Sequence, residues 1–224
     1  MQLSESEENT LHLVRFKVQK MFEGEGTGHD WWHIVRVCNT AKYLAQKENA
    51  NLFLVEISAL VHDIGDHKFH SEDNAQEILI TQLLADCKMD HSSMQKILDI
   101  VKTVSYKGAK VDTKPTSLEG KIVQDADRLD AIGAIGIARA FAYGGNKNRL
   151  LYHPEESPNY HDNFEDYKND KGHTINHFYE KLLLLKDRMQ TKSGKELAEE
   201  RHSFMEKYLQ QFYREWNQTE KCES

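Results

Sequence analysis

Ala59-Leu60-Val61-His62-Asp63-Ile64-Gly65-Asp66-His67-Lys68-Phe69-His70 joins an apolar run to a crowd of ionisable side chains. Leu54, Ile57, Leu60, Val61 and Ile64 recur at helical spacing, so the chain entering His62 reads as a buried helix. Buried charge needs a partner or a cation. A buried helix ending in His62-Asp63, with Asp66, His67 and His70 close behind, therefore asks for one. Imidazole beside carboxylate suits a divalent first-row metal ion. Gly65 lets the chain turn straight after the pair, so both side chains can face one cavity. A solvated helix C-terminus explains the same residues, because histidine suits that end of the helix dipole. Only further ligands elsewhere in the chain separate the two readings.

Upstream, Asp30 in His29-Asp30-Trp31-Trp32-His33-Ile34-Val35-Arg36 is placed to cap a helix. Ile34, Val37, Cys38, Ala41, Leu44 and Ala45 form its apolar face. His33 borders that face, where a hydrogen-bonded core histidine is the simpler reading of the residue taken alone. Arg36, three residues on, shares its side of the helix. Trp31 and Trp32 read as core or pocket-wall residues. Leu11, Val14, Phe16, Val18, Met21 and Phe22 predict a first helix ending near Gly24. The glycines at 24, 26 and 28 follow no strand, so they make no dinucleotide fingerprint.

Downstream, Ala75, Ile78, Leu79 and Leu83 mark one helix, and Met94, Ile97, Leu98, Val101 and Val104 the next. The latter runs into Ser105-Tyr106-Lys107-Gly108. After Pro115, Ser117 with Glu119 starts a helix over Leu118 to Asp130. In it Asp127 lies between Val123 and Ala131 on an apolar side, which again suggests a cation. Asp130 is placed to flank it, and Asp125 points elsewhere. The small residues of Ile132-Gly133-Ala134-Ile135-Gly136-Ile137-Ala138 suit close helix packing. Residues 143–173 read as a long loop with Gly144-Gly145, Pro154 and Pro158. Two stripes follow: Ile175, Phe178, Leu182 and Leu185, then Leu197, Phe204, Met205, Tyr208, Leu209 and Phe212. No segment alternates as a strand would, so the fold class is all-α. The expected organisation is a single domain over 1–224, with a core at about 11–142, the loop at 143–173 and C-terminal helices at 174–216.

Composition sets bounds. With 39% hydrophobic residues in 224, the chain can bury a sizeable core, which excludes global disorder. A net charge of -7 argues against a nucleic-acid polymer as partner. No apolar run approaches the roughly 20 residues of a membrane span. Met1–Asn9 is acidic and polar, without a signal-peptide core. Cys38, Cys87 and Cys222 form no CxxC, which points to a reducing, cytoplasmic setting.

His33, then His62-Asp63, then Asp127 in Ala126-Asp127-Arg128-Leu129 resembles the H…HD…D signature of the HD-domain metal-dependent phosphohydrolases. The wording around His29–His33, His62–His70 and Ser105–Gly108 looks closest to the bacterial branch of YpgQ- and YedJ-like proteins, which includes metal-dependent nucleotide pyrophosphohydrolases. The resemblance covers most of the chain and implies an HD-domain helical bundle. It implies that His33, His62, Asp63 and Asp127 hold one divalent cation, Mn²⁺ or Mg²⁺ first, with Co²⁺, Ni²⁺, Fe²⁺ and Zn²⁺ open. The implied reaction converts a (deoxy)nucleoside triphosphate to monophosphate and pyrophosphate by metal-activated water. A carboxylate one helical turn past Asp63 fits the family's acid–base position; here it is Asp66, with His67 the rival for proton transfer. Arg36, Lys68, Lys107 and Arg128 are candidate clamps for phosphate oxygens. A phosphomonoesterase of the 5′-nucleotidase kind, or a regulatory module that binds metal and nucleotide without turnover, are the alternatives. The Gly-rich segment 131–142 leaves room for a homodimer.

Overall fold

Local chemistry sets the start of almost every helix. In the computed structural model, which describes residues 3–24, 30–65, 75–104, 114–159 and 172–218, Ser4 and Glu7 form a reciprocal capping box that opens α1 (Glu5–Met21). The apolar stripe alone predicts a later start near Leu11; the box and the acidic first turn extend the helix upstream. Asp30 caps α2 (Trp31–Glu48), and Asn51 caps α3 (Leu52–Val61). α4 (Ala75–Asp86) and α5 (His91–Val104) follow, then α6 (Leu118–Asp130), capped by Ser117. α7 (Gly133–Asn146) runs four residues into the stretch expected as loop. Among the described residues no strand occurs.

The stripe over Ile175 to Leu185 breaks in two. α8 (Thr174–Glu180) stops at Lys181, and a 3-10 helix (Leu182–Arg188) follows. A 3-10 helix stacks residues three apart, which turns both Leu182 and Leu185 inward; each is buried. The last helix, α9 (Lys192–Asn217), closes the chain.

α3 is the centre of the bundle. Every residue from Leu54 to Val61 is buried, as expected of a helix surrounded on all sides, and α1, α2, α5 and α6 pack around it. α9 packs across α7, α6 and α2, and the buried side chains form one contiguous cluster from Val14 to Leu209. Phe16 and Phe204, read from spacing as members of apolar stripes, are instead 59% and 50% exposed. Val14 and Val18 occupy the inner face of α1, and Phe16, two residues from each, lies off that face.

Two carboxylates from other helices seal the N-terminus of α9. Asp125 of α6 accepts from the Gln190 and Thr191 amides at 3.0 and 2.8 Å and from Thr191 Oγ1 at 2.7 Å. Glu48 of α2 accepts from the Ser193 amide at 2.7 Å and its hydroxyl at 2.6 Å. The approach is so close that a Cβ on Gly194 would lie 2.5 Å from Asp125 Oδ2. Asp125 points away from Asp127, as their two-residue spacing requires. Asp125→Ala leaves these donors buried without their acceptor, so it is expected to lower the unfolding free energy by about 2 kcal/mol. Urea denaturation measures this; an unchanged midpoint would show that water replaces the carboxylate at no loss.

Candidate metal centre

Three helix ends meet at the site. Asp30 accepts from the His33 amide at 2.8 Å, which starts α2 so that His33 falls in its first turn, fully buried. His62 is the C-cap of α3, and Asp63 follows in the turn. Gly65 in that turn has φ +64, and a Cβ there would lie 3.0 Å from Gln76 Cα. Glycine therefore satisfies both the left-handed backbone and the contact with α4. Gln76 Nε2 donates to the His62 carbonyl at 3.0 Å and ties the turn to α4. Asp127 comes from the last turn of α6.

The ring and carboxylate atoms converge. His33 Nε2 lies 3.2 Å from Asp63 Oδ2 and 3.5 Å from Asp127 Oδ1. His62 Nε2 lies 3.5 Å from Asp63 Oδ1 and 3.8 Å from the same Asp127 Oδ1. The two imidazoles meet edge to face, with ring centroids 5.4 Å apart. One ligand atom each from His33, His62 and Asp127 lies within 4.8 Å of the others, and Asp63 spans the two rings. Asp127 is the open member of the group: its side chain is 25% exposed while the other three are nearly inaccessible. Solvent reaches the cluster from that side.

The far side of each ring shows which nitrogen faces inward. His62 Nδ1 sits 2.8 Å from the Ala59 carbonyl, which can only accept. The proton is therefore on Nδ1, and Nε2 presents a lone pair to the cluster. Nε2 of His62 is buried and has no hydrogen-bond partner among the described residues, the state expected of a nitrogen kept for a cation. His33 Nδ1 sits 2.7 Å from Asp130 Oδ2. Burial alone pushes the His33 imidazole down, but Asp130, Asp63 and Asp127 outweigh it and raise its pKa to about 9. Burial likewise raises Asp130, and its contacts with His33, Arg36 and Arg139 reverse this and hold it well below the usual carboxylate range. So many carboxylate groups around two buried rings want positive charge, which a proton or a metal ion can supply. The donor set, two imidazoles and two carboxylates with one side open, fits a divalent ion.

The remaining expected residues are distributed as follows. Asp66, His67, Lys68 and Lys107 lie outside the described residues. Arg36, expected on phosphate, grips Asp130 through Nε at 2.7 Å and Nη2 at 3.0 Å, and its side chain is 33% exposed. Arg128 reaches away to the Arg188 carbonyl at 2.6 Å. The pattern along the chain did not reveal the partnership of Asp130 with His33, nor any role for Arg139 of α7, whose Nη1 donates to Asp130 Oδ2 at 2.6 Å. The signal that could have found it is Arg139 itself, a charge on an otherwise small and apolar helix, which needs a carboxylate partner.

Comparison with known proteins converges on one family. The HD domain family model matches residues 31–132, which span all four converging residues. The chain is 40% identical over 199 residues to YpgQ of Bacillus subtilis strain 168, covering 88% of this chain and 89% of that one. A crystal structure of Bacillus subtilis YpgQ in complex with ADP superposes with a TM-score of 0.74 at 39% identity, covering 94% and 96% of the two chains. A Lactobacillus plantarum protein gives 0.81 at 34% identity, covering 96% and 99%. An HD-superfamily hydrolase from Bacillus thuringiensis gives 0.75 at 38%, covering 94% and 98%.

Proposed function

Since this chain belongs to the HD-domain family of metal-dependent phosphohydrolases, we propose that it hydrolyses nucleotides, taking a nucleoside or deoxynucleoside triphosphate to the monophosphate and pyrophosphate. The observation that carries the reading is the convergence of His33, His62 and Asp127, each with one ligand atom within 4.8 Å of the others, around a buried His62 Nε2. In this reading His33, His62, Asp63 and Asp127 hold one divalent ion. Two imidazole nitrogens favour a transition ion such as Mn²⁺ over Mg²⁺, which prefers oxygen ligands. When bound, such an ion lowers the pKa of a water and draws charge from a phosphoryl oxygen.

The chain's own groups do the rest. Asp63 and Asp127 balance a dipositive charge, so an anionic phosphate meets a centre that is neutral overall. The exposed edge of Asp127 is where the phosphate enters. Asp66, three residues beyond Asp63, takes or returns the proton, with His67 as the other candidate. Lys68 and Lys107 are placed in the sequence to meet phosphate oxygens, and Arg128 and the exposed part of Arg36 are further candidates. The YpgQ complex with ADP supports a nucleotide ligand. No described helix is long and apolar enough to cross a membrane, and a soluble substrate in the cytoplasm fits this reading.

Purified protein incubated with Mn²⁺, Mg²⁺, Co²⁺, Ni²⁺ or Zn²⁺ and a panel of ribo- and deoxynucleotides is expected to release pyrophosphate. Release of inorganic phosphate from monophosphates would assign a phosphomonoesterase. No product from any pair, with metal demonstrably bound, would reject hydrolysis.

A further inference from the structure

We infer that Asp130 is a positioning residue for the metal site: it accepts the Nδ1 proton of His33 and fixes the ring so that Nε2 is the nitrogen aimed at Asp63, Asp127 and a bound ion, and Arg36 with Arg139 anchors its carboxylate. The inference rests on the metal reading above and extends it to side chains outside the four-residue signature.

The two metal-facing histidines solve the same problem differently. His62 ends a helix, so a carbonyl of its own helix, Ala59, lies 2.8 Å from Nδ1 and orients the ring locally. His33 stands in the first turn of α2, with no preceding helical turn to offer a carbonyl, and the Asp30 side chain is taken up by the His33 amide. Its acceptor has to come from another element, and α6 supplies it 97 residues away. Asp130 lies three residues after Asp127 on the same helix, so the ligand and the group that orients its neighbour move as one body.

The carboxylate is itself immobilised. Arg36 donates to both oxygens, at 2.7 and 3.0 Å, and Arg139 Nη1 donates to Oδ2 at 2.6 Å, so rotation about the carboxylate breaks several bonds at once. Arg139 Nη1 also lies 3.5 Å from His33 Nδ1, where it would donate if that nitrogen were bare. The Asp130 contact is much shorter, at 2.7 Å, and assigns the proton to Nδ1.

A bland role competes: Asp130 could be no more than the counter-ion of two half-buried arginines. A double-mutant comparison separates the two. Metal affinity is read by titrating the metal-free protein with whichever ion of Mn²⁺, Co²⁺, Ni²⁺ and Zn²⁺ the wild type binds tightest, and melting temperature is read without metal. Asp130→Ala is expected to weaken that ion's binding about 10–100-fold. Arg139→Met is expected to change it less than about 3-fold, because Arg36 still holds the carboxylate. The combination Asp130→Ala/Arg139→Met removes one of the uncompensated cations and should recover melting temperature relative to Asp130→Ala while the affinity stays low. If affinity recovers together with melting temperature, or if Asp130→Ala binds the ion like wild type, the positioning role is wrong. Asp130→Leu with Arg139→Met, close in volume and without an acceptor for His33 Nδ1, gives the same comparison if the alanine variants do not fold. A wild type that binds none of these ions overturns the metal reading itself and this inference with it.

Discussion

Replacing Asp63 with alanine will lower kcat/KM for the preferred nucleotide about 10³-fold or more, equivalent to about 4 kcal/mol in the barrier, and will abolish the rise in melting temperature that a divalent ion gives the wild type. Asp63 is the group whose loss should matter most. Its two oxygens face different rings, 3.2 Å from His33 Nε2 and 3.5 Å from His62 Nε2. No other side chain of the cluster faces both imidazoles with separate atoms. Without it, one carboxylate is left to balance a dipositive ion between two neutral rings. The effect should be on binding and chemistry rather than on folding, because Asp63 stands in a turn held independently by Gly65 and by the Gln76 bond to the His62 carbonyl. Metal titration and steady-state kinetics on Asp63→Ala, with circular dichroism to verify folding, make the test. Turnover within 10-fold of wild type would remove Asp63 from the centre.

The second large effect is one of pH. Stripped of metal, the protein is expected to lose roughly 3 kcal/mol of stability as pH rises from 6.5 to about 9. The His33 pKa is raised in the folded state from 6.5 to about 9. A raised pKa means that the folded state holds the proton more tightly than the unfolded chain does. That contribution is fully present below 6.5 and is lost as pH climbs through the folded value of about 9. Holding a proton tenfold more tightly is worth about 1.4 kcal/mol, and His33 is fully buried, so solvent screening discounts little of it. A bound cation takes the place of that proton between the same carboxylates. The stabilisation that metal confers should therefore grow over the same window. Thermal unfolding at pH 6.5, 7.5 and 8.5, with chelator and with saturating metal, checks both halves. A pH-independent midpoint in chelator would mean that His33 is neutral throughout and that the carboxylates around it are compensated by other groups.

Much of the fold was legible in the order of residues. The stripe Leu54–Ile64 announced a buried helix, and α3 is buried on every side. Ser117 with Glu119 announced the start of a helix over Leu118 to Asp130, and α6 has those bounds. These features are local: a cap needs an oxygen three residues ahead, and a stripe needs only the helical period. Three of the expected ligands stood out for a related reason, since His62-Asp63 and Asp127 interrupt apolar helix faces with groups that need a partner or a cation.

What could not be read from order alone were the pairings across the fold. Whether Arg36 meets substrate or another side chain depends on a carboxylate 94 residues away, and only the packing of α6 against α2 brings Asp130 to it. The division of the 175–185 stripe into α8 and a 3-10 helix follows from which leucines the rest of the core can bury. Phe16 and Phe204 have the right spacing for a stripe but leave half or more of their surface exposed. By itself, then, the sequence determined an all-α chain with capped helices and marked His62-Asp63 and Asp127 as polar groups on apolar faces, with His33 joined to them only by the family resemblance, because the local properties arise from neighbours along the backbone. The tertiary structure decided which charges are spent on one another, that Asp127 is the open edge of the cluster, and that Asp130 backs His33. An ion pair forms between groups brought together in space, and only the packing of the helices specifies that proximity.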